Sequence, residues 1–473
     1  MKARSTRIQW HHRSSPSRNH ASRATVDAIP TAPGELPVIG HMTQLRRLGP
    51  FLASLPAHGG LVNIHIGPVK AVVICDPDAT GQLLRDDRTF DKGGPLYDQG
   101  RELIGNGLGL CPHDKHRRLR RLAQPTFHRK RLPGYAEVKM ATVESIIGNW
   151  RHQQIIDISA EMRTMVSKGL FAAIFPSSIA PETQSQILAD LDTVLSGVFR
   201  RMVLPRALNR LRVIDNRHET LANTRLHETI DTIINHRRTE GIDDGDLLSA
   251  LLNARDLQSA EQQLSDSQIA DTIMAFFIGG VDTTAATLSW ALHMLAQHPD
   301  IERQVQAEVD TVLSGRRATF EDLSRLEVTA RVIKETLRLW PPVWLLTRVA
   351  TADAQLGGYV IPAGTNVIYS PYVLHHRSDL YENPDRFDPN RWTLESAASH
   401  NGFIPFGAGG RKCIGDSLAM TDAVLTLATI TARWRLTQSP HHRVRPKLGT
   451  FTLPQGLHMR LIDRSSDPGP STE

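Results

Sequence analysis

The chain has 473 residues, 40% apolar and 22% charged, which excludes a disordered or fibrous protein and leaves room for a sizeable buried core. Its net charge of +6 suits an anionic cofactor or an acidic partner and is too small to require nucleic acid. Three cysteines (Cys75, Cys111 and Cys413), none in a Cys-x-x-Cys pair, exclude a disulfide scaffold or zinc ribbon and fit a reducing compartment.

Residues 1–30 carry Lys2, Arg4, Arg7, Arg13, Arg18 and Arg23 against one acid, Asp27, and lack the apolar stretch of a secretory signal. They are expected to be a disordered basic segment; a transit peptide or a start placed upstream are the alternatives. Thr31 to Gly40, dense in Pro and Gly, predicts an extended lead-in. Val62–Ile66 and Ala71–Ile74, around Gly67-Pro68, read as two short strands. Helical periodicity dominates from about residue 138 to 340. Residues 347–371 read as strand, 378–412 as a long loop and 413–434 as a last apolar helix. The Ser/Pro/Gly-rich residues 464–473 are expected to be a disordered tail. No apolar run reaches the ~18 residues of a spanning helix. The reading is mainly α with small β-sheets, in one domain over residues 31–463.

Phe406 to Gly415 sets a single cysteine, Cys413, in a glycine-dense loop ahead of a helix. Gly407, Gly409 and Gly410 allow backbone shapes closed to other residues and the close approach of a flat ligand. Arg411, Lys412 and the first amides of the next helix all favour a thiolate at Cys413. Such a thiolate suits an axial ligand to haem iron. The spacing of Phe406, Gly409, Arg411, Cys413, Gly415 and Ala419 resembles, position for position, the haem loop of the cytochrome P-450 family. The resemblance covers residues 33–460 and implies that family's haem-thiolate fold, haem b as cofactor, Cys413 as iron ligand, and Phe406, Gly407, Arg411, Gly415 and Ala419 against the haem.

Ser265 with Gln268 reads as a capping box opening a long helix, interrupted by Gly279-Gly280-Val281-Asp282-Thr283-Thr284. Glycines there cost about 1 kcal/mol each, so a local reason is expected. The resemblance supplies one: the glycines leave room for dioxygen and substrate, and Asp282 and Thr283 deliver protons. It further implies that His116, Arg120, Arg348 and Arg411 hold the haem propionates, and that Glu335 and Arg338, three apart on one helix face, lock onto Arg386 from the later loop.

The basic run from His116 to Arg131 has only Phe127 as an aromatic, which argues against nucleic acid. The resemblance makes it a docking face for an acidic ferredoxin. With no flavin, nucleotide or iron–sulfur motif after the last helix, electrons are expected from a ferredoxin and a ferredoxin reductase. Asp243, Asp244 and Asp246 read as helix-cap charges, not a metal cluster. The histidine pairs 375–376 and 441–442 read as surface residues.

Segments matching the family's substrate contacts are 94–110, 196–213, Ala275, Phe276, Gly279, Val343 to Leu346 (with Leu345) and Thr450 to Thr452 (with Phe451). Nearly all are apolar, which predicts a neutral lipophilic substrate. Arg200 to Pro205, Leu339 to Trp344, Leu356 to Tyr359 and Ile368 to Tyr372 resemble actinobacterial members that oxidise cyclic sesquiterpene hydrocarbons in secondary metabolism. The expectation is a cytoplasmic, monomeric, O2-dependent monooxygenase of that kind. A fatty-acid or steroid hydroxylase is the alternative within the family, and a haem carrier or sensor the non-enzyme alternative.

Overall fold

In the computed structural model the described residues are 24–466, except 68, 95–96, 99, 102–104, 176–178, 204–216, 242, 257–262, 394–401 and 440–442. The helices that build the site are α1 (Pro77–Arg85), α2 (His113–Ala123), α3 (Leu132–Ile147), α4 (Ile158–Ile174), α5 (Pro181–Val203), α6 (Arg217–Glu240), α7 (Asp266–Gln297), α8 (Pro299–Leu313), α9 (Glu327–Leu339) and α10 (Asp416–Arg433). Asp76 caps α1 by accepting from the Ala79 N–H at 2.7 Å. α7 starts at the expected capping box: Ser265 Oγ accepts from the Gln268 N–H, and Gln268 Oε1 accepts from the Ser265 N–H.

One mixed five-stranded sheet holds β1 (Leu61–Ile66), β2 (Val69–Ile74), β3 (Phe90–Asp91), β4 (Leu346–Ala350) and β5 (Asn366–Tyr369), in the order β1-β2-β5-β4-β3. The register sets Asp91 opposite Val349 and Arg348 opposite Val367. This brings together segments far apart in sequence, with consequences for the site.

The largest apolar cluster joins α3, α4, α7, α8, α9 and α10, with Leu288, Leu292, Val305, Ile333 and Leu425 all nearly inaccessible. Trp290 of α7 stacks on Trp340 just past α9, ring centroids 4.1 Å apart. By length and composition α7 could cross a membrane, but 61% of its apolar window is buried inside this protein, which makes it the central core helix.

Order extends past both expected limits. Ala24–Thr25 pairs with Tyr359–Val360, and Ile29 is buried, because the lead-in supplies an edge strand to a small sheet. At the other end Arg464 reaches Asp310, its Nη1 donating to Oδ1 at 2.9 Å, so the fold runs to Ser466. Residues 1–23 and 467–473 lie outside the described residues.

Candidate active site

A cavity of about 510 Å³ lies between α7 and the loop of Phe406 to Gly415. The loop closes on itself: Gly407 N–H donates to Ile404 O at 3.0 Å and Cys413 N–H to Phe406 O at 2.9 Å. Gly407 and Gly409 have φ near +67° and +68°, open to glycine at little cost. A Cβ on Gly409 would lie 1.9 Å from the Leu84 carbonyl oxygen, so this glycine lets the loop seat on α1. Phe406, Gly407, Arg411, Cys413, Gly415 and Ala419 all line the cavity.

The electrostatics at Cys413 differ from the expectation. Burial pushes its thiol up, opposed by the Gly415 N–H and by Arg120 and Lys412. Arg411 does not serve the thiolate: its guanidinium faces Asp91 (Nη2 to Oδ1, 2.7 Å), Asp87 and the Cys111 carbonyl. A bound metal ion deprotonates a coordinating thiol outright. Arg120 donates to Lys412 O at 2.6 Å and so fastens the loop to α2.

One end of the cavity carries donors. His116, Arg120, Arg348 and Arg411 meet there, joined by Lys92, Tyr97 and Tyr369, which sequence reasoning missed. Arg348 is 2% exposed, and its Nη1 donates to Tyr97 Oη at 3.2 Å. Burial, then Arg348 and Arg411, lowers Lys92 to about 7. Burial, then Arg411, Lys92 and Arg120, lowers His116 to about 3, so His116 is a neutral donor and not a cation. A thiol at one wall and clustered donors at one edge fit a flat cofactor with a central metal and two carboxylates.

Along α7, Ala275, Gly279 and Thr283 face the cavity. A Cβ on Gly279 would meet nothing within 4 Å, so the glycine widens the cavity at that turn. Thr283 Oγ1 donates to the Gly279 carbonyl. Asp282 is absent from the cavity wall; it turns toward α4, where Arg163 Nε donates to its Oδ1 at 2.8 Å. Arg163 also grips Asp192 of α5. Burial raises the Asp282 carboxyl despite Arg163.

Phe276, Val343, Leu345, Leu346 and Phe451 supply apolar lining to the same cavity. The anticipated segment 196–213 lies largely outside the described residues. Besides these mostly apolar side chains, Asp271 also lines the cavity. A separate surface cleft of about 490 Å³, lined by Asp86, Asp87, Arg88, His113 and Arg117, is charged with both signs and lacks an apolar wall.

The expected triad needs one correction. Glu335 and Arg338 pair as anticipated, at 2.8 Å and with neither side chain exposed. The second arginine is Arg391, not Arg386: Arg391 Nε donates to Glu335 Oε1 at 2.9 Å, and Trp392 Nε1 to Oε2 at 2.9 Å. Phe387 and Pro389 turn inward and leave the Arg386 side chain in solvent; only its carbonyl faces the cluster, accepting from Arg338 at 3.1 Å. His375 is also no surface residue. It is fully buried, its Nε2 accepting from the Ile404 N–H at 3.0 Å and so tying the approach to the cysteine loop to this cluster. The pair at 441–442 lies outside the described residues. Among the described residues no metal-binding cluster of His, Cys, Asp and Glu occurs, and Asp246 caps the helix Leu247–Leu252 and binds Arg237.

The basic run is partly consumed inside the protein. Arg118 donates to Gln263 O at 2.7 Å, Arg121 to Asp256 at 2.9 Å and Arg131 to Gly245 O at 2.9 Å. Lys115, Arg117, Arg129 and Lys130 remain exposed.

Comparison with known proteins gives a consistent family likeness. A profile described as Cytochrome P450 matches residues 30–460. Pentalenene oxygenase of Streptomyces avermitilis is 40% identical over 439 residues, 92% of this chain and 97% of the relative. Cyclooctat-9-en-7-ol 5-monooxygenase of Streptomyces melanosporofaciens is 41% identical over 414 residues, 87% of this chain and 90% of the relative. Among solved structures, the haem domain of cytochrome P450DA matches with a TM-score of 0.83 at 27% identity, covering 92% of this chain and 98% of that one.

Proposed function

The chain belongs to the cytochrome P450 family and is a haem b monooxygenase, and within that family we propose that it oxidises a cyclic terpene. The observation that carries the substrate reading is the apolar lining of Phe276, Val343, Leu345, Leu346 and Phe451 in the cavity that the cysteine loop also lines, in a chain about 40% identical to two enzymes named for terpene substrates. An apolar, shaped wall with few polar handles orients C–H bonds of a lipophilic molecule.

Bound haem supplies the activation of dioxygen and the transfer of one oxygen atom. In our reading Cys413 would ligate its iron, and Arg348, Lys92, Arg120 and neutral His116 would hold its carboxylates, with Tyr97 and Tyr369 orienting Arg348. Thr283 Oγ1 sits on the cavity side of α7 to hand on a proton. Asp282, next to it in sequence and held by Arg163, which also binds Asp192, is in our reading the carboxyl that relays protons from solvent. The exposed Lys115, Arg117, Arg129 and Lys130 give an acidic ferredoxin a surface to dock on, and attraction there weakens with salt. A single-chain cytoplasmic enzyme fed by ferredoxin and its reductase completes the reading.

Thr283→Ala is expected to leave substrate affinity within about twofold while product formed per reducing equivalent falls about tenfold or more, the balance appearing as hydrogen peroxide. Lys92→Met is expected to speed haem transfer to apomyoglobin about tenfold, the scale of one charge-assisted hydrogen bond. Unchanged transfer would remove Lys92 from the carboxylate site.

The substrate reading is tested by optical titration of the ferric enzyme with cyclic sesquiterpenes, fatty acids and steroids. A saturable shift to high spin with the sesquiterpenes supports it. A shift only with fatty acids or steroids moves the substrate to that class.

A further inference from the structure

Asp271, Ala275, Gly279 and Thr283 recur every fourth residue along α7, and all four line the cavity. At 1.5 Å per residue this stripe runs roughly 18 Å, with an alcohol at the Cys413 end, small side chains between and a carboxylate at the far end.

Asp271 is held by its surroundings. Its Oδ2 accepts from the Asn106 N–H at 2.9 Å. Its Oδ1 lies 3.5 Å from His227 Nε2 of α6, whose Nδ1 is taken up by the Asn223 carbonyl at 2.9 Å. Two glycines permit this seam: a Cβ on Gly105 would lie 2.2 Å from Asp271 Oδ1, and one on Gly107 2.3 Å from the Asp271 carbonyl oxygen. A carboxylate has about four lone-pair sites, so two partners leave it acceptor capacity. The adjacent Asp271 carboxylate, with the Asn223 carbonyl, shifts His227 toward its protonated form.

We propose that Asp271 is a specificity residue that accepts a hydrogen bond from a substrate hydroxyl remote from the carbon being oxidised, so that the preferred substrate is a terpene alcohol and not the parent hydrocarbon. This rests on the terpene reading above and narrows it. Gly279 lies eight residues from Asp271, roughly 12 Å along the axis, so the hydroxyl and the reacting carbon sit at opposite ends of an elongated polycyclic skeleton.

The test is ferric optical titration of the holoenzyme with two probes of one skeleton, dehydroabietane and dehydroabietinol, and with cedrene and cedrol as a shorter pair. The wild type is expected to bind dehydroabietinol about tenfold or more tightly than dehydroabietane, with a smaller ratio for the shorter pair. Asp271→Leu is expected to erase the preference. Asp271→Asn, which can still accept from Asn106, keeps the seam and is expected to reduce the preference to about threefold. Haem content of each variant reports folding. Equal affinity for both members of each pair in the wild type, or a preference surviving in both variants, overturns the proposal and leaves the terpene reading standing. Absence of a shift with all four probes overturns both.

Discussion

Cys413→Ser is expected to yield a folded protein whose monooxygenase rate falls about a thousandfold or more, the scale seen when a group at the reacting centre is removed. Thiolate ligation pushes electron density onto haem iron and favours O–O cleavage; a serine at the same place does not. The substitution is nearly isosteric, and the loop's own bonds, Cys413 N–H to Phe406 O and Gly407 N–H to Ile404 O, use the backbone alone. The fold should therefore survive, and circular dichroism and haem stoichiometry separate lost chemistry from lost structure. A thiol that coordinates a metal ion gives up its proton. Deprotonation is then coupled to cofactor binding, and haem uptake by the wild type should release a proton that Cys413→Ser does not. Retention of wild-type turnover in Cys413→Ser would remove the cysteine from the mechanism.

Glu335→Ala is expected to cost about 3–5 kcal/mol, the penalty for leaving a buried ion without its partner. That is a large part of the roughly 5–15 kcal/mol typical of a folded protein. The magnitude follows from what converges on the carboxylate: Arg338 through Nε and Nη2, Arg391 through Nε, the Trp392 indole and the Asp388 amide. Arg338 in turn donates to the carbonyls of His375 and Pro384 at 2.8 and 2.6 Å and lies over the Tyr381 ring. His375 ties to Ile404 just ahead of the cysteine loop, so the variant is expected to lose haem before it unfolds. Arg391→Ala should behave similarly, whereas Arg386→Ala should stay within about 0.5 kcal/mol, as exposed positions usually do. Differential scanning calorimetry and haem-to-protein ratio check all three. A severe Arg386→Ala and a mild Arg391→Ala would invert the assignment.

Features set by near neighbours in the chain are legible from spacing alone. The capping box at Ser265 and Gln268 and the turn residues around Cys413 act within a few positions, so their order carries the message. The pairing of Glu335 with Arg338 is equally local. The choice between Arg386 and Arg391 is not, because both follow acidic or proline-rich stretches of one loop. It is decided by Phe387 and Pro389 turning inward, which is a packing outcome. Lys92 is hidden for a different reason. It reaches Arg348 only because β3 pairs with β4, a contact spanning more than half the chain. Asp271 reads in sequence as an ordinary polar residue near a helix start. Its cavity position emerges only when the four-residue stripe to Thr283 is set against the loop carrying Gly105 and Gly107.

Terpene monooxygenase activity is tested most directly by a single-turnover assay under ¹⁸O2. The enzyme, ferredoxin, ferredoxin reductase and NADPH are incubated with a cyclic terpene, and the product mass is read by mass spectrometry. The expected product carries one ¹⁸O atom, and it is absent without ferredoxin and absent with Cys413→Ser. An unlabelled product, or none from any cyclic terpene while a fatty acid or steroid is oxidised, would contradict the terpene monooxygenase reading.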